Sequence, residues 1–197
     1  IRNILYDKGI FKSLSYDTPT ICVGNLSVGG TGKTPMIEYL IALLKKNRKL
    51  AVLSRGYGRK TKGFIKAMPS TTVEEIGDEP FQIYKKYPEV VLAVDADRRH
   101  GISLLQVQEK PDLILLDDAF QHRKVKPSFS ILLTAYGHLY VDDRYLPTGN
   151  LRDSKKEAHR ANVIVVTKCP SNLGFTEQED IIKKLHPLKY QKVLFSS

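Results

Sequence analysis

Ser27-Val28-Gly29-Gly30-Thr31-Gly32-Lys33-Thr34 follows a β-branched run, Thr20-Ile21-Cys22-Val23, and precedes an apolar stretch that opens with Pro35. The order reads as a strand, a glycine-rich turn and a helix start. Such a turn aims consecutive backbone N–H groups at one point, where the anionic tail of a nucleoside triphosphate can sit. There the Lys33 ammonium reaches the β- and γ-phosphates and the Thr34 hydroxyl holds Mg²⁺. Pro35 agrees with the helix start, because in the first turn its missing N–H has no intrahelical bond to lose. The pattern usually opens on glycine, and here that position is Ser27. Ser27 to Thr34 are therefore the candidate nucleotide loop. The alternative is a glycine-rich surface turn that carries a chance lysine.

Strand-like runs recur at Thr20–Val23, Leu50–Ser54, Val90–Val94, Leu113–Asp117, Phe129–Thr134 and Val163–Thr167, with a last one at Lys192–Phe195. Most are continuously apolar, as in strands buried on both faces of a parallel sheet. Helix candidates lie between them at Met36–Lys46, Pro80–Tyr87, Arg98–Gln108 and Glu177–Leu185. This alternation predicts an α/β fold: a doubly wound, mainly parallel sheet in a three-layer αβα sandwich. The connection from Ser54 to Gly77, with Gly56, Gly58, Gly63 and Pro69, reads as a long loop of the kind that often carries function.

Asp112-Leu113-Ile114-Leu115-Leu116-Asp117-Asp118 is an apolar strand that ends in two carboxylates. At the C-terminal tip of a parallel strand they face the crevice where ligands bind. Mg²⁺ prefers oxygen ligands and keeps several waters, so Asp117 and Asp118 join Thr34 as candidate metal ligands. Together with the loop they make up both elements of a P-loop NTPase-like site. Taken alone, the pair reads more commonly as a polar strand end.

Over 197 residues, 42% hydrophobic and 26% charged content are those of a globular protein. No apolar run approaches the roughly 20 residues that span a bilayer. The chain starts at Ile1 and stops at Ser197 just after a strand-like run, so it reads as a fragment. Cys22 and Cys169 have no partner at metal-ligand spacing and fit a reduced, buried role. The net charge of +10 favours anionic partners: phosphates, nucleic acid or an acidic membrane surface. Residues 1–19 are a lead-in with apolar Ile1, Leu5, Ile10, Phe11 and Leu14 among basic Arg2, Lys8 and Lys12, and Gly9 interrupts any helix. They fit either a membrane-proximal element or an edge that packs on the core.

Five blocks then match one family in order and spacing. Val23 to Pro35 is similar to the nucleotide loop of the tetraacyldisaccharide 4'-kinases, which also lacks the first glycine. Ser54-Arg55-Gly56-Tyr57-Gly58-Arg59, Gly77-Asp78-Glu79-Pro80, Leu116-Asp117-Asp118-Ala119-Phe120-Gln121-His122-Arg123 and Leu146-Pro147-Thr148-Gly149-Asn150-Leu151-Arg152-Asp153 resemble the next four. Two departures stand out: Ala119 where many members have Gly, and Asp153 where Glu is usual. The resemblance covers about Val23 to Lys168.

It implies a kinase domain over residues 20–197 whose C-terminal part continues in family members. It also implies transfer of the γ-phosphoryl group of ATP, with Mg²⁺, to the 4'-hydroxyl of a tetraacylated disaccharide 1-phosphate, giving lipid IVA. The partners implied are the lipid A disaccharide precursor and an anionic membrane surface, at the cytoplasmic face of the bacterial inner membrane. The fragment itself is expected to be soluble, with no nucleic acid and no obligate protein partner. Lys33 is assigned to catalysis, and Asp78 is the implied base that takes the hydroxyl proton; local sequence alone favours a helix cap at Asp78. The family histidine that pairs with this base is expected beyond Ser197, so this chain alone is expected to bind ATP and turn over poorly. Arg55 and Arg152 fit phosphate clamps, and Gln121, His122 and Arg123 fit contacts that orient the substrate. Each of these also reads as a structural or surface residue.

Two rivals stay open: a P-loop ATP-binding or GTPase-like lobe without sugar-lipid kinase activity, and a nucleic-acid binder. Thr167-Lys168 ends a strand where some P-loop proteins read the base, but Cys169-Pro170 follow instead of the Asp that guanine selection needs. Tyr and Phe are spread through core-like segments and not interleaved with basic clusters, which disfavours the nucleic-acid reading.

Overall fold

The computed structural model describes residues 2–197, and Ile1 lies outside the described residues. In chain order the elements are α1 (Arg2–Asp7), β1 (Thr20–Asn25), α2 (Lys33–Leu44), β2 (Leu50–Ser54), β3 (Ile65–Lys66), α3 (Val73–Ile76), α4 (Asp78–Lys86), β4 (Val91–Val94) and α5 (Arg98–Gln108). They continue with β5 (Leu113–Asp117), β6 (Phe129–Ala135), a 3₁₀ segment (Lys155–Arg160), β7 (Val163–Thr167), α6 (Phe175–Leu185) and β8 (Lys192–Phe195).

One sheet of eight strands runs in the order β3-β4-β2-β5-β1-β6-β7-β8. Every neighbouring pair is parallel except β3 with β4. The alternation of strand side chains divides the interior into two cores. Val23, Leu50, Val52, Leu113 and Leu115 face Ile37, Leu40 and Ile41 of α2, Ile76 of α3 and Ile83 of α4. Cys22, Ala51, Leu53, Ile114 and Leu116 face Ile102 and Leu105 of α5 and Ile181 and Leu185 of α6. These are the three layers that continuously apolar strands require, since each must bury both faces. The central strand β1 lies between β5 and β6, so the crevice opens at the C-terminal ends of β1 and β5.

The strands expected at Leu50–Ser54, Leu113–Asp117 and Val163–Thr167 and the helix at Arg98–Gln108 agree residue for residue. Helix α2 begins at Lys33 rather than Met36, because Gly32 (φ 83°) takes the left-handed cap position that ends the loop sooner. The stretch from Ser54 to Gly77 is not all loop. It holds β3 on the sheet edge and the single turn α3, both too short to show a period.

The lead-in packs on the domain. Leu14 N–H donates to Lys124 O at 2.9 Å and Lys126 N–H to Leu14 O at 2.8 Å. Asn3 Nδ2 donates to Asp153 Oδ1 at 2.7 Å, and Asp7 pairs with Arg123 at 2.7 Å. Ile4, Ile10, Phe11 and Leu14 nevertheless stay exposed, so the packed edge keeps an apolar outer face. Among the described residues no helix is long and apolar enough to cross a membrane.

Gly24 shows how tightly the crevice is built from below. A Cβ there would lie 2.6 Å from Phe120 Cβ and 3.2 Å from Phe120 N. Gly24→Ala is expected to lower the unfolding free energy by about 1–3 kcal/mol, as overpacking does. Gly174→Ala, whose Cβ meets nothing within 4 Å, is expected to change it by less than about 1 kcal/mol. Urea unfolding of the two variants checks the contrast.

Candidate active site

The glycine-rich loop is held at its start and at Thr31, whose N–H donates to Gly29 O at 3.0 Å, and opens at the beginning of α2. Antiparallel pairing of Ser27 with Leu151 ties its start, with Val28 N–H donating to Asn150 O at 2.7 Å and Arg152 N–H to Leu26 O at 2.9 Å. Asn25 Nδ2 donates to Thr31 Oγ1 at 2.7 Å, and Thr167 Oγ1 donates to Thr31 O at 2.9 Å. The cap of α2 at Gly32 carries no side-chain hydrogen bond. The first-turn N–H groups of Lys33 and Thr34 therefore face the crevice with no intrahelical acceptor, which makes an anion seat.

The crevice is a cavity of about 590 Å³ lined by Gly29 to Pro35 of the loop, Ser54, Arg55 and Tyr57 after β2, Glu79 of α4, Asp117 and Asp118 after β5, Arg152 and Lys168. Asp117 is buried and accepts from Ser54 Oγ at 2.9 Å. Burial pushes its carboxyl up to about 6, opposed by the Ser54 bond and reinforced by the neighbouring Asp118 charge. Asp118 sits in the left-handed region (φ 44°), which Asp tolerates better than most residues. Its carboxylate accepts both terminal nitrogens of Arg152, Nη1 at 3.1 Å, and lies 3.9 Å from Lys33 Nζ. Although burial works the other way, the Arg152 bond and the Lys33 and Arg152 charges hold Asp118 below the usual carboxylate range.

The structure thus brings Gly29, Gly30, Thr31, Gly32, Lys33, Thr34, Arg55, Asp117, Asp118 and Arg152 around one cavity. Ser27 and Val28 are not among its lining residues. Ser27 is buried against Leu151, and the Val28 N–H is already bonded to Asn150. Gln121 supports the site from behind, donating from Nε2 to Asn25 O at 2.5 Å. His122 also lies behind the lining, with Nε2 3.8 Å from Asp97 Oδ1. Burial, then the Arg98 charge, push it down to about 4, so it is neutral at pH 7.

Arg123 is not brought to this cavity. It pairs with Asp7 at 2.7 Å and Glu157 at 3.5 Å, donates to Asn3 O at 3.0 Å and lies over the Tyr6 ring, holding α1 in place. The chain has turned away from the strand tips by then, toward the start of β6, which sequence adjacency to Gln121 does not reveal. Asp78 is the first residue of α4, not its cap; Gly77 takes that position with φ 90° and no side-chain cap bond. A Cβ on Gly77 would lie 2.6 Å from Tyr57 O, so the Arg55–Tyr57 turn presses directly on the start of α4. Asp78 is exposed, and its neighbour Glu79 is the α4 residue that lines the cavity.

The family model for tetraacyldisaccharide-1-P 4'-kinase matches residues 1–194. The chain belongs to the tetraacyldisaccharide 4'-kinase family. It is 58% identical over 197 residues to the tetraacyldisaccharide 4'-kinase of Flavobacterium johnsoniae, covering all of this chain and 58% of that protein. With the Bacteroides thetaiotaomicron enzyme of the same name it shares 52% identity over 199 aligned positions, covering 52% of that protein. The chain therefore spans about half the length of the curated relatives it matches. The crystal structure described as the "apo" form of LpxK from Aquifex aeolicus in complex with ATP aligns with a TM-score of 0.79 at 33% identity, over 98% of this chain and 76% of that one. The hydrogenase maturation factor HypB of Archaeoglobus fulgidus aligns at a TM-score of 0.52 and 12% identity, over 98% of this chain and 84% of that one, which shows a shared fold alone.

Ser54, Tyr57 and Glu79 also line the cavity, with Asn25 behind it, and none of the four is a candidate from the sequence. The signal for the first three was their place in the matched blocks. Asn25 lies in a matched block too, but its role rests on its partners Gly29, Thr31, Gln121 and Arg152. Lys168, at φ 57°, carries its ammonium to 3.8 Å from where a Cβ on Gly30 would lie, so it sits over the loop.

The raised value of Asp117 has a sign. The folded chain binds that proton more tightly than the unfolded chain, so the contribution of Asp117 to stability falls as pH rises from about 4 to about 6. Above that range the full penalty applies. Asp117→Asn keeps an acceptor for Ser54 and removes the penalty. Its unfolding free energy relative to the unaltered chain is expected to improve between pH 4 and pH 7.5 by on the order of 3 kcal/mol. Thermal unfolding across that range checks it, and a pH-independent difference would contradict the assignment.

Proposed function

We propose that this chain supplies the nucleotide-binding part of an enzyme that transfers the γ-phosphoryl group of ATP to the 4'-hydroxyl of a tetraacyldisaccharide 1-phosphate, giving lipid IVA. The observation that carries the proposal is the single cavity into which the open loop, Lys33, two strand-tip carboxylates and Arg152 converge. In this reading residues 20–197 are the kinase domain. Residues 1–19 are the lead-in, whose exposed Ile4, Ile10, Phe11 and Leu14, with the +10 net charge, suit the anionic membrane surface on which the lipid precursor lies.

The loop N–H groups and Lys33 take the β- and γ-phosphates, and Arg152 and Arg55 face the same anion from across the crevice. Thr34, Asp117 and Asp118 offer a hydroxyl and carboxylate oxygens, a donor set that fits Mg²⁺. Among the described residues no group of three or more His, Cys, Asp or Glu side chains forms a metal cage. Mg²⁺ typically takes one or two carboxylates, keeps waters and shares the substrate's phosphates. Bound there, Mg²⁺ would neutralise charge on the phosphate oxygens. Asp78 begins α4 beside the cavity-lining Glu79, free of a capping duty, and is the residue proposed to accept the proton of the attacking 4'-hydroxyl. As the new P–O bond forms, the bond to the β–γ bridging oxygen breaks and ADP leaves.

Lys33→Ala is expected to weaken ATP binding by about tenfold or more, the scale of a lost charge-assisted contact. Asp78→Ala is expected to leave ATP affinity within about twofold and to lower phosphoryl transfer by about 10²-fold or more. Isothermal titration with Mg–ATP, together with a γ-phosphate transfer assay on the lipid A disaccharide precursor in the full-length protein, separates the two effects. Wild-type transfer by Asp78→Ala would remove Asp78 as the base.

A further inference from the structure

The Asn25 side chain is fully buried at the C-terminal end of β1, where it does not line the cavity. Its Nδ2 donates to Thr31 Oγ1 at 2.7 Å and lies 3.5 Å from Gly29 O, both in the nucleotide loop. Its Oδ1 accepts from Arg152 Nη2 at 2.5 Å. Its main-chain oxygen accepts from Gln121 Nε2 at 2.5 Å. One residue therefore joins the loop, the segment after β5 and the segment that carries Arg152.

Chemistry fixes which way round the amide sits. A guanidinium only donates, so the amide oxygen must face Arg152. The NH₂ then faces the loop, where the Thr31 hydroxyl and the Gly29 carbonyl can both accept. Aspartate would offer acceptors on both sides and alanine would offer nothing; asparagine satisfies each side with the group it needs. The other strong bonds of Arg152 go to Asp118, and its Nε is buried without a partner. The guanidinium is thus held between a neutral amide and a carboxylate that also neighbours Lys33.

We infer that Asn25 is a positioning residue for the phosphate site. It couples the shape of the loop, through Thr31, to the placement of the Arg152 guanidinium, so that two phosphate-binding elements from distant parts of the chain are set by one buried amide. Asn25 touches no substrate and acts through Arg152 and the loop. The inference rests on reading the cavity as a triphosphate site. Removing the amide leaves the Arg152 guanidinium anchored to Asp118 alone and releases the Thr31 hydroxyl, and an unmet buried donor or acceptor remains on each side.

The test is a double-mutant cycle in the full-length protein, reading the Kd for Mg–ATP of the unaltered protein, Asn25→Ala, Arg152→Ala and the double variant. Each single change is expected to weaken binding by about tenfold, and the double variant by about thirtyfold at most, because Asn25 acts partly through Arg152. Losses that multiply to about a hundredfold would overturn the inference. Asn25→Asp is the second variant, since its shape is nearly unchanged. It keeps an acceptor for Arg152 but puts a second carboxylate on that guanidinium and removes the NH₂ from the loop. It is expected to weaken Mg–ATP binding by about tenfold while its thermal midpoint without nucleotide stays within about 4 °C. Unchanged ATP affinity in Asn25→Asp would overturn the inference. Failure of the unaltered protein to bind Mg–ATP would overturn the nucleotide reading and this inference with it, whereas binding with multiplicative losses would overturn the inference alone.

Discussion

The site depends on keeping the backbone N–H groups that open α2 unpaired at the tips of a parallel sheet. Unpaired donors at a partly buried position are unfavourable, and a free loop would turn to satisfy them internally. This loop does so once, with Thr31 N–H donating to Gly29 O at 3.0 Å, and has little room to do more. Thr31 is fixed by Asn25 on one side and Thr167 on the other, and the loop's start is paired to the Asn150–Arg152 segment. Gly32 then turns the chain into α2 with a left-handed φ, which places the open end of the helix at the crevice. The parallel sheet makes this arrangement possible, because β1, β5 and β7 all deliver their C-terminal residues to the same edge.

Charge is arranged around that seat in two layers. Facing the cavity, Lys33 and Arg152 share the Asp118 carboxylate. Beneath them, the buried guanidinium of Arg98 donates to the main-chain oxygens of Asp95 at 2.6 Å and Asp117 at 3.2 Å, which fixes the tip of β5. Asp117 itself has been withdrawn from water, and its raised value is the mark of that withdrawal. A carboxylate in such a place is costly on its own and is relieved by a cation, which is the physical sense of proposing Thr34, Asp117 and Asp118 as a magnesium site. The folded chain thus carries a destabilising group at the position where the proposed chemistry needs one.

Most of the fold could be read from the chain because its signals are local. Continuously apolar β-branched runs such as Val163–Thr167, separated by helix-length polar-apolar segments, leave little choice but a layered parallel sheet. The meeting of the loop, Lys33, Thr34 and the carboxylate pair at one cavity was equally legible, since their spacing and their place on strand ends set it. The losses came from long-range contacts. Arg123 follows Gln121 and His122 in a matched block, yet it serves α1, because the chain has left the strand tip by that point. Ser27 and Val28 belong to the loop by sequence, yet Leu151 and Asn150 occupy their backbone. Asn25 shows the same limit from the other side: it sits in the first matched block, but its bond to Arg152, 127 positions along the chain, is not visible there.

Backbone amide hydrogen exchange, with and without Mg–ATP, tests the central claim most directly. If Gly29 to Thr34 form the triphosphate seat, nucleotide will slow exchange at the amides of that run, with smaller effects at Asp118 and Arg152, and leave the far edge at β8 unchanged. Nucleotide-dependent protection elsewhere, with Gly29 to Thr34 exchanging as fast as before, would contradict the account.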